Sequence, residues 1–153
     1  MSKVIYKVRI LQYTIAKHLV ADEEAGTITD WYEDELSGAA QAEFDRVLRS
    51  LSNLPLVDWD RPLYGIVHHQ GETFGEIRFD EKSRKQYRPM GFPMPKQWRA
   101  DPDLEEFVIV VGASKKMKIW TPRSALDAAV KRIRDIRKNG RSNLREYTSH
   151  LSI

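Results

Sequence analysis

Cysteine is absent from all 153 residues. That absence excludes a disulfide scaffold, a thiolate zinc site and a cysteine nucleophile. Histidine is scarce as well: there are four, and only His68 and His69 are adjacent. A metal site built from imidazoles is not expected, nor is any cofactor. Long apolar runs are missing. One of the longest, Phe107 to Val111, falls far short of the ~20 residues a membrane-spanning helix needs. The first residues read as an alternating strand rather than a signal peptide. The expectation is a soluble, cytoplasmic chain with no membrane partner. No phosphate-binding glycine loop, dinucleotide fingerprint, nucleophile elbow or paired-histidine helix is present either.

What the chain does have is segregated charge. The formal net charge is only +3. Residues 1 to 21 carry four bases and no acid, residues 22 to 60 eleven acids against two bases, and residues 108 to 153 eleven bases against three acids. Such asymmetry suggests one face for a polyanion and another that is acidic.

Hydrophobic spacing orders the elements. Lys3 to Ile10 alternates as a half-buried strand that can run on to Ile15. Asp22 to Gly26 reads as a turn, and Thr29 is placed to cap a short helix ending at Leu36. After a break at Ser37-Gly38, the apolar positions Ala40, Phe44, Val47, Leu48 and Leu51 follow helical spacing. Residues 52 to 73 read as an irregular connection. Phe74 to Phe79 and Gln86 to Phe92 form a hairpin, with Pro89 marking a bulge or an edge. Pro93 to Glu106 is a polar insertion, judged too rich in proline and acid to be core. Phe107 to Val111 suits a strand buried on both faces, and Met117 to Trp120 can extend it. Thr121-Pro122 reads as a helix start, followed by a stripe of Leu126, Ala129, Val130, Ile133 and Ile136. Lys131, Arg132, Arg134, Arg137 and Lys138 form its basic face, and Asn139-Gly140 stops it. Residues 141 to 153 read as a loosely attached tail. The expectation is a single α+β domain over residues 1 to 153: an N-terminal strand, two helices, a three-stranded antiparallel meander and a C-terminal helix.

Basic and aromatic residues cluster on the consecutive strands. If the hairpin turn is short, Arg78 and Arg88 lie opposite or diagonal on one face of the sheet. Lys115 and Lys116 join them from the end of the next strand. Two guanidinium forks beside the Tyr87 phenol suit a phosphodiester, since the forks bind phosphate oxygens bidentately and a tyrosine ring can stack on a base. Arg84, Lys85, Lys118 and Trp98 are further candidates for contact with RNA.

Phe74-Gly-Glu-Ile-Arg78, Tyr87-Arg88, Val108-Ile-Val-Val-Gly112 with Lys115-Lys116, and Thr121-Pro122 before a helix containing Ala128-Ala129 together resemble the RelE/HigB superfamily of toxin-antitoxin toxins, in particular its phage-derived branch. The likeness runs in order over residues 30 to 140. It implies a small RelE-like domain, a sheet with two helices packed on it. It also implies a metal-independent endoribonuclease, an mRNA interferase that cuts mRNA at the ribosome by attack of the ribose 2′-hydroxyl. The implied partners are mRNA, the ribosome and a cognate antitoxin, a helix-turn-helix protein. Carried over by position, Arg88 matches the arginine that stabilises the transition-state phosphate, Arg78 the arginine of the preceding strand, and Lys115 and Lys116 the basic pair at the end of the last strand. Many relatives place a tyrosine or histidine just after that strand, where this chain has Met117-Lys118-Ile119-Trp120. Glu76, Tyr87, Lys116 or the His68-His69 pair are the substitutes for general acid or base. Two rival readings stay open: a non-catalytic gyrase inhibitor, as in the ParE branch, and a degenerate module that binds RNA or protein without cutting.

Overall fold

The computed structural model describes residues 8–14, 25–81 and 85–147. Residues 3 to 7 of the expected first strand, Arg84, and residues 148 to 153 of the expected tail lie outside them. The elements run β1 (Arg9–Tyr13), α1 (Ile28–Glu35), α2 (Gly38–Ser52), β2 (Tyr64–His69), β3 (Glu72–Ile77), β4 (Phe79–Asp80), β5 (Gln86–Tyr87), β6 (Met90–Pro93), β7 (Glu106–Val111), β8 (Ser114–Lys116), β9 (Ile119–Thr121), α3 (Ala125–Asn139) and β10 (Leu144–Glu146). This is an α+β architecture with two sheets.

The helix starts follow local chemistry. The Thr27 hydroxyl accepts from the Asp30 N–H at 3.1 Å and the Ser37 hydroxyl from the Ala40 N–H at 3.1 Å, capping α1 and α2. The cap of α1 is thus Thr27 rather than Thr29, whose hydroxyl lies 3.0 Å from Gln12 Oε1 on β1. Thr121 does not cap α3. It pairs with Ser114 as the end of β9, and α3 starts four residues later at Ala125. Helix α3 stops at Gly140, whose φ of 68° is a left-handed conformation that glycine adopts without steric cost.

The larger sheet has the order β10-β1-β7-β6-β3-β2. Strand β1 runs parallel to β7, and the other pairs are antiparallel. Every residue of β7 is buried, because it lies centrally and carries a helical layer on each face. On one side Phe107 and Ile109 join Ile77, Phe79 and Tyr87 beneath α1 and α2. On the other, Val108 and Val110 join Phe74, Met90 and Phe92 beneath α3. The smaller sheet, β4-β5-β8-β9, prolongs β3, β6 and β7 beyond short breaks at Arg78, at Arg88-Pro89 and at Gly112-Ala113. The expected meander is therefore present as three long, broken strands.

Four expectations need correction. The connection at residues 52 to 73 contains β2, which pairs with β3 over six residues from Tyr64↔Ile77 to His69↔Glu72. Its sequence does not alternate cleanly because only part of one face is covered. The tail is anchored through residue 147: β10 pairs with β1, and Tyr147 is buried in the core under α2. The insertion after Pro93 contributes Met94, 1% exposed, to the core under α3. Arg132, expected on the basic face of the last helix, is fully buried. It donates to the carbonyls of Ala25, Gly26 and Val110 at 2.6–2.9 Å and lies over the Tyr13 ring. Helical spacing puts residue 132 next to the apolar stripe, where a long polar side chain can reach through to backbone carbonyls.

Candidate phosphate-binding face

The apolar strip under α3 gives way along the same sheet face to polar residues. Alternation along β3 and β4 carries the face from Phe74 through Glu76 and Arg78 to Asp80. Along β6 and β5 it runs from Met90 through Arg88 to Gln86. The pairs Glu76↔Met90 and Phe79↔Tyr87 share one register, which sets Arg78 directly opposite Arg88. On the next strand Lys115 pairs with Gln86, and the Arg88 N–H bonds the Ala113 carbonyl at 2.8 Å. Three neighbouring strands thus bring Arg78, Arg88 and Lys115 to one end of one face.

Each arginine is held by its surroundings. Arg78 uses Nε and Nη2 on Glu76 Oε1 at 3.1 and 3.0 Å. Its guanidinium packs close against Gly65 on β2, where a Cβ would stand 2.2 Å from Nη2. Only glycine allows that approach. It borders a cleft of about 280 Å³ shared with Trp59, Asp60, Arg61 and Tyr64. Arg88 is more enclosed, with its side chain 11% exposed. Its Nη1 donates to the Tyr87 carbonyl at 2.7 Å, Asp80 Oδ1 at 3.0 Å and the Phe79 carbonyl at 3.2 Å. Among the described residues its hydrogen bonds all leave from Nη1. The Nε/Nη2 edge, the one suited to bidentate phosphate recognition, makes none. Lys115 places Nζ 5.1 Å from the centre of the Trp120 ring, a cation–π contact that holds the charge at the sheet surface. Lys116 and Lys118 are exposed around the β8–β9 turn, where Met117 adopts φ 58°.

Other candidates fall elsewhere. Tyr87 points to the opposite face: it is 2% exposed, stacks on Phe79 at 4.9 Å and 12°, and donates to Glu81 Oε2 at 3.0 Å. Burial, reinforced by Glu81, pushes its phenol up to about 12, so it neither stacks on a base nor gives up a proton easily. Glu76 forms its ion pair within one strand, as the orienting partner of Arg78. Lys85 stands over the outer side of Tyr87, with Nζ 5.4 Å from the ring centre. Trp98 is half-buried against the core under α3, and its carbonyl accepts from Arg141 at 3.3 Å. His68 and His69 sit on β2, bonded to Thr73 at 2.9 Å and Asp127 at 2.7 Å, and are not part of the arginine pair. Trp31 and Trp59 are core residues. On α3, Arg134 and Arg137 clamp Glu72 at 2.7–3.1 Å, fixing the β2–β3 hairpin to the helix. Their hydrogen bonds hold the Glu72 carboxyl down at about 2.

Two supporting residues were not foreseen, Gly65 and Asp80. Asp80 follows Arg78 by two positions, a spacing that marks a shared strand face. Gly65 leaves no local signal, because its role is set by a neighbouring strand. No helix among the described residues is long and apolar enough to cross a membrane, and none of their side chains form a metal-binding group. Fixed guanidinium groups with a free bidentate edge, flanked by lysines, can hold a phosphodiester and stabilise added negative charge on it. Compared with known proteins, the chain matches no family model, no curated protein and no solved structure.

Proposed function

We propose that this protein is a metal-independent endoribonuclease of the RelE/HigB toxin type, acting on mRNA at the ribosome and neutralised by a helix-turn-helix antitoxin. The observation that carries the reading is the free Nε/Nη2 edge of Arg88, directly across the sheet from Arg78 and beside Lys115. In this reading the ribose 2′-hydroxyl attacks the adjacent phosphorus and the 5′-oxygen leaves. The products are a 2′,3′-cyclic phosphate and a 5′-hydroxyl end. Arg88 binds the equatorial phosphate oxygens as their charge grows, Arg78 and Lys115 add a field of the same sign, and Lys116 and Lys118 guide the strand. Removing one such preorganised donor costs roughly 100- to 1000-fold in rate.

The burial of Tyr87 favours a second reading, in which the same face binds RNA without cutting it. Mapping of mRNA 5′ ends after induced expression distinguishes them. New 5′-hydroxyl ends with growth arrest, both relieved by Arg78→Ala/Arg88→Ala, support the nuclease. Arrest without new ends supports a binding module, and a stop in replication rather than translation supports gyrase inhibition. A double variant that cleaves and arrests like the wild type overturns the role given to this face.

A further inference from the structure

Two of the large apolar side chains that stand exposed share one turn, Met117 at 85% and Ile119 at 60%. They belong to the β8–β9 hairpin, in which Lys116↔Ile119 is the last pair and Met117-Lys118 is the two-residue turn. Met117 takes up φ 58°, a left-handed conformation that crowds a Cβ against the backbone and suits glycine or asparagine better. The apex is thus held by a residue that neither the turn nor the core calls for. Strained backbone of this kind clusters at binding sites.

The surroundings of the turn are uniformly cationic. Residues 107 to 126 hold Lys115, Lys116, Lys118 and Arg123 and no acid, and none of the four makes an ion pair among the described residues. Val57 shows the contrast: it is 88% exposed, but Asp58 and Asp60 follow it closely and disfavour a polyanion. The hairpin is also continuous with the arginine face. The Arg88 N–H bonds the Ala113 carbonyl at 2.8 Å, and Met117 comes four residues after Ala113, no more than about 14 Å of chain. Between them Lys115 pairs with Gln86, on the Arg88 side of the sheet. A polyanion followed from Arg88 along β8 therefore reaches an apolar side chain flanked by lysines. The apolar part of a nucleic acid is the flat face of a base, which is covered in a duplex and open in a single strand.

We propose that the β8–β9 tip is a base-contacting element for single-stranded RNA. Met117 packs against a nucleobase flanking the phosphate held by Arg88, and Lys116 and Lys118 hold the neighbouring phosphates. An aliphatic contact reads the presence of a base and not its identity. The assignment rests on the reading of the arginine face as an RNA site.

The test uses the whole protein and two 2′-O-methyl oligomers of about ten nucleotides, which lack the attacking hydroxyl, one of mixed sequence and one abasic at every position. By fluorescence anisotropy the base-bearing oligomer should bind about five-fold or more tightly than the abasic one. Met117→Gly relieves the left-handed strain, so Tm should hold or rise, while the preference for bases falls to within about two-fold. Lys116→Ala/Lys118→Ala should weaken both oligomers alike and flatten the salt dependence by about one unit of slope. Val57→Ser should leave both affinities unchanged. Equal affinity of the wild type for the two oligomers, or a base preference that survives Met117→Gly, overturns the base contact. Binding that Arg78→Ala/Arg88→Ala leaves unaltered overturns instead the reading of the arginine face, and no binding of either oligomer overturns both. Met117-dependent capture by phosphatidylcholine–phosphatidylglycerol vesicles without a base preference assigns the tip to a membrane surface and overturns the proposal.

Discussion

Replacing Tyr87 with phenylalanine separates a core residue from a catalytic one. The change keeps the ring that stacks on Phe79 and removes only the hydroxyl that donates to Glu81 Oε2 at 3.0 Å. A partly buried hydrogen bond to a carboxylate contributes about 1–2 kcal/mol. For a chain of this length each kcal/mol moves Tm by about 2–4 °C, so the midpoint should fall by roughly 2–8 °C. Glu81 keeps the Ser37 hydroxyl at 2.5 Å as a donor, which favours the lower end. The loss also has a pH signature. Burial and Glu81 raise the phenol from 10.0 to about 12 in the folded chain. A tyrosine that holds its proton more tightly when folded stabilises the fold up to about pH 10 and loses that contribution as pH rises toward 12. The advantage of wild type over Tyr87→Phe should therefore be constant below about pH 10 and shrink above it, as read from urea melts across that range. Cleavage of an oligoribonucleotide should stay within about two-fold of wild type, because loss of a general acid or base costs about 100-fold or more. A 100-fold loss of cleavage with Tm unchanged would refute the assignment of Tyr87 to the core.

Two further outcomes follow from the geometry. Gly65→Ala should push the Arg78 guanidinium off the β2 backbone. Stability should change by less than about 1 kcal/mol, because the displaced group is the end of a flexible side chain, while RNA cleavage falls by about ten-fold or more; unchanged cleavage removes Arg78 from the site. For the clamp between β2–β3 and α3, the Glu72 carboxyl is held at about 2 against a usual 4.5. Its contribution is complete above about pH 4.5 and is lost as pH falls toward 2. The arginines are about half exposed, so screening limits it to roughly 1 kcal/mol. Urea midpoints at about pH 7 and pH 3 should show this slope in wild type and not in Glu72→Gln.

Much of the order of elements is local and was legible from spacing. The helical period over residues 40 to 51, the β-branched run from 107 to 111 and the alternation around Arg78 and Arg88 each encode their own element, since side-chain direction repeats every 3.6 or 2 residues. From a short turn the sequence also allowed the two arginines to lie opposite or diagonal on one face; the register sets them directly opposite. What neighbours each residue was not legible. Tyr87 and Arg88 are adjacent in sequence, yet strand alternation sends one into the α2 core and the other toward α3, and only packing decides which face is covered. Arg132 reads as one cation in a basic stripe, but three carbonyls from distant segments make it a buried tie. Strands β2 and β10 escaped because their stability comes from partners across the sheet rather than from their own pattern. The sequence by itself determined the elements that carry their own hydrophobic period, the absence of thiol chemistry and the separation of acidic from basic segments. Tertiary structure alone decided which charges are spent on one another and which stay available: Glu72 and Glu76 are occupied by arginines, whereas among the described residues the far edge of Arg88 and the carboxylates of α1 are not. Ion pairing depends on distance through space, and chain separation does not specify it.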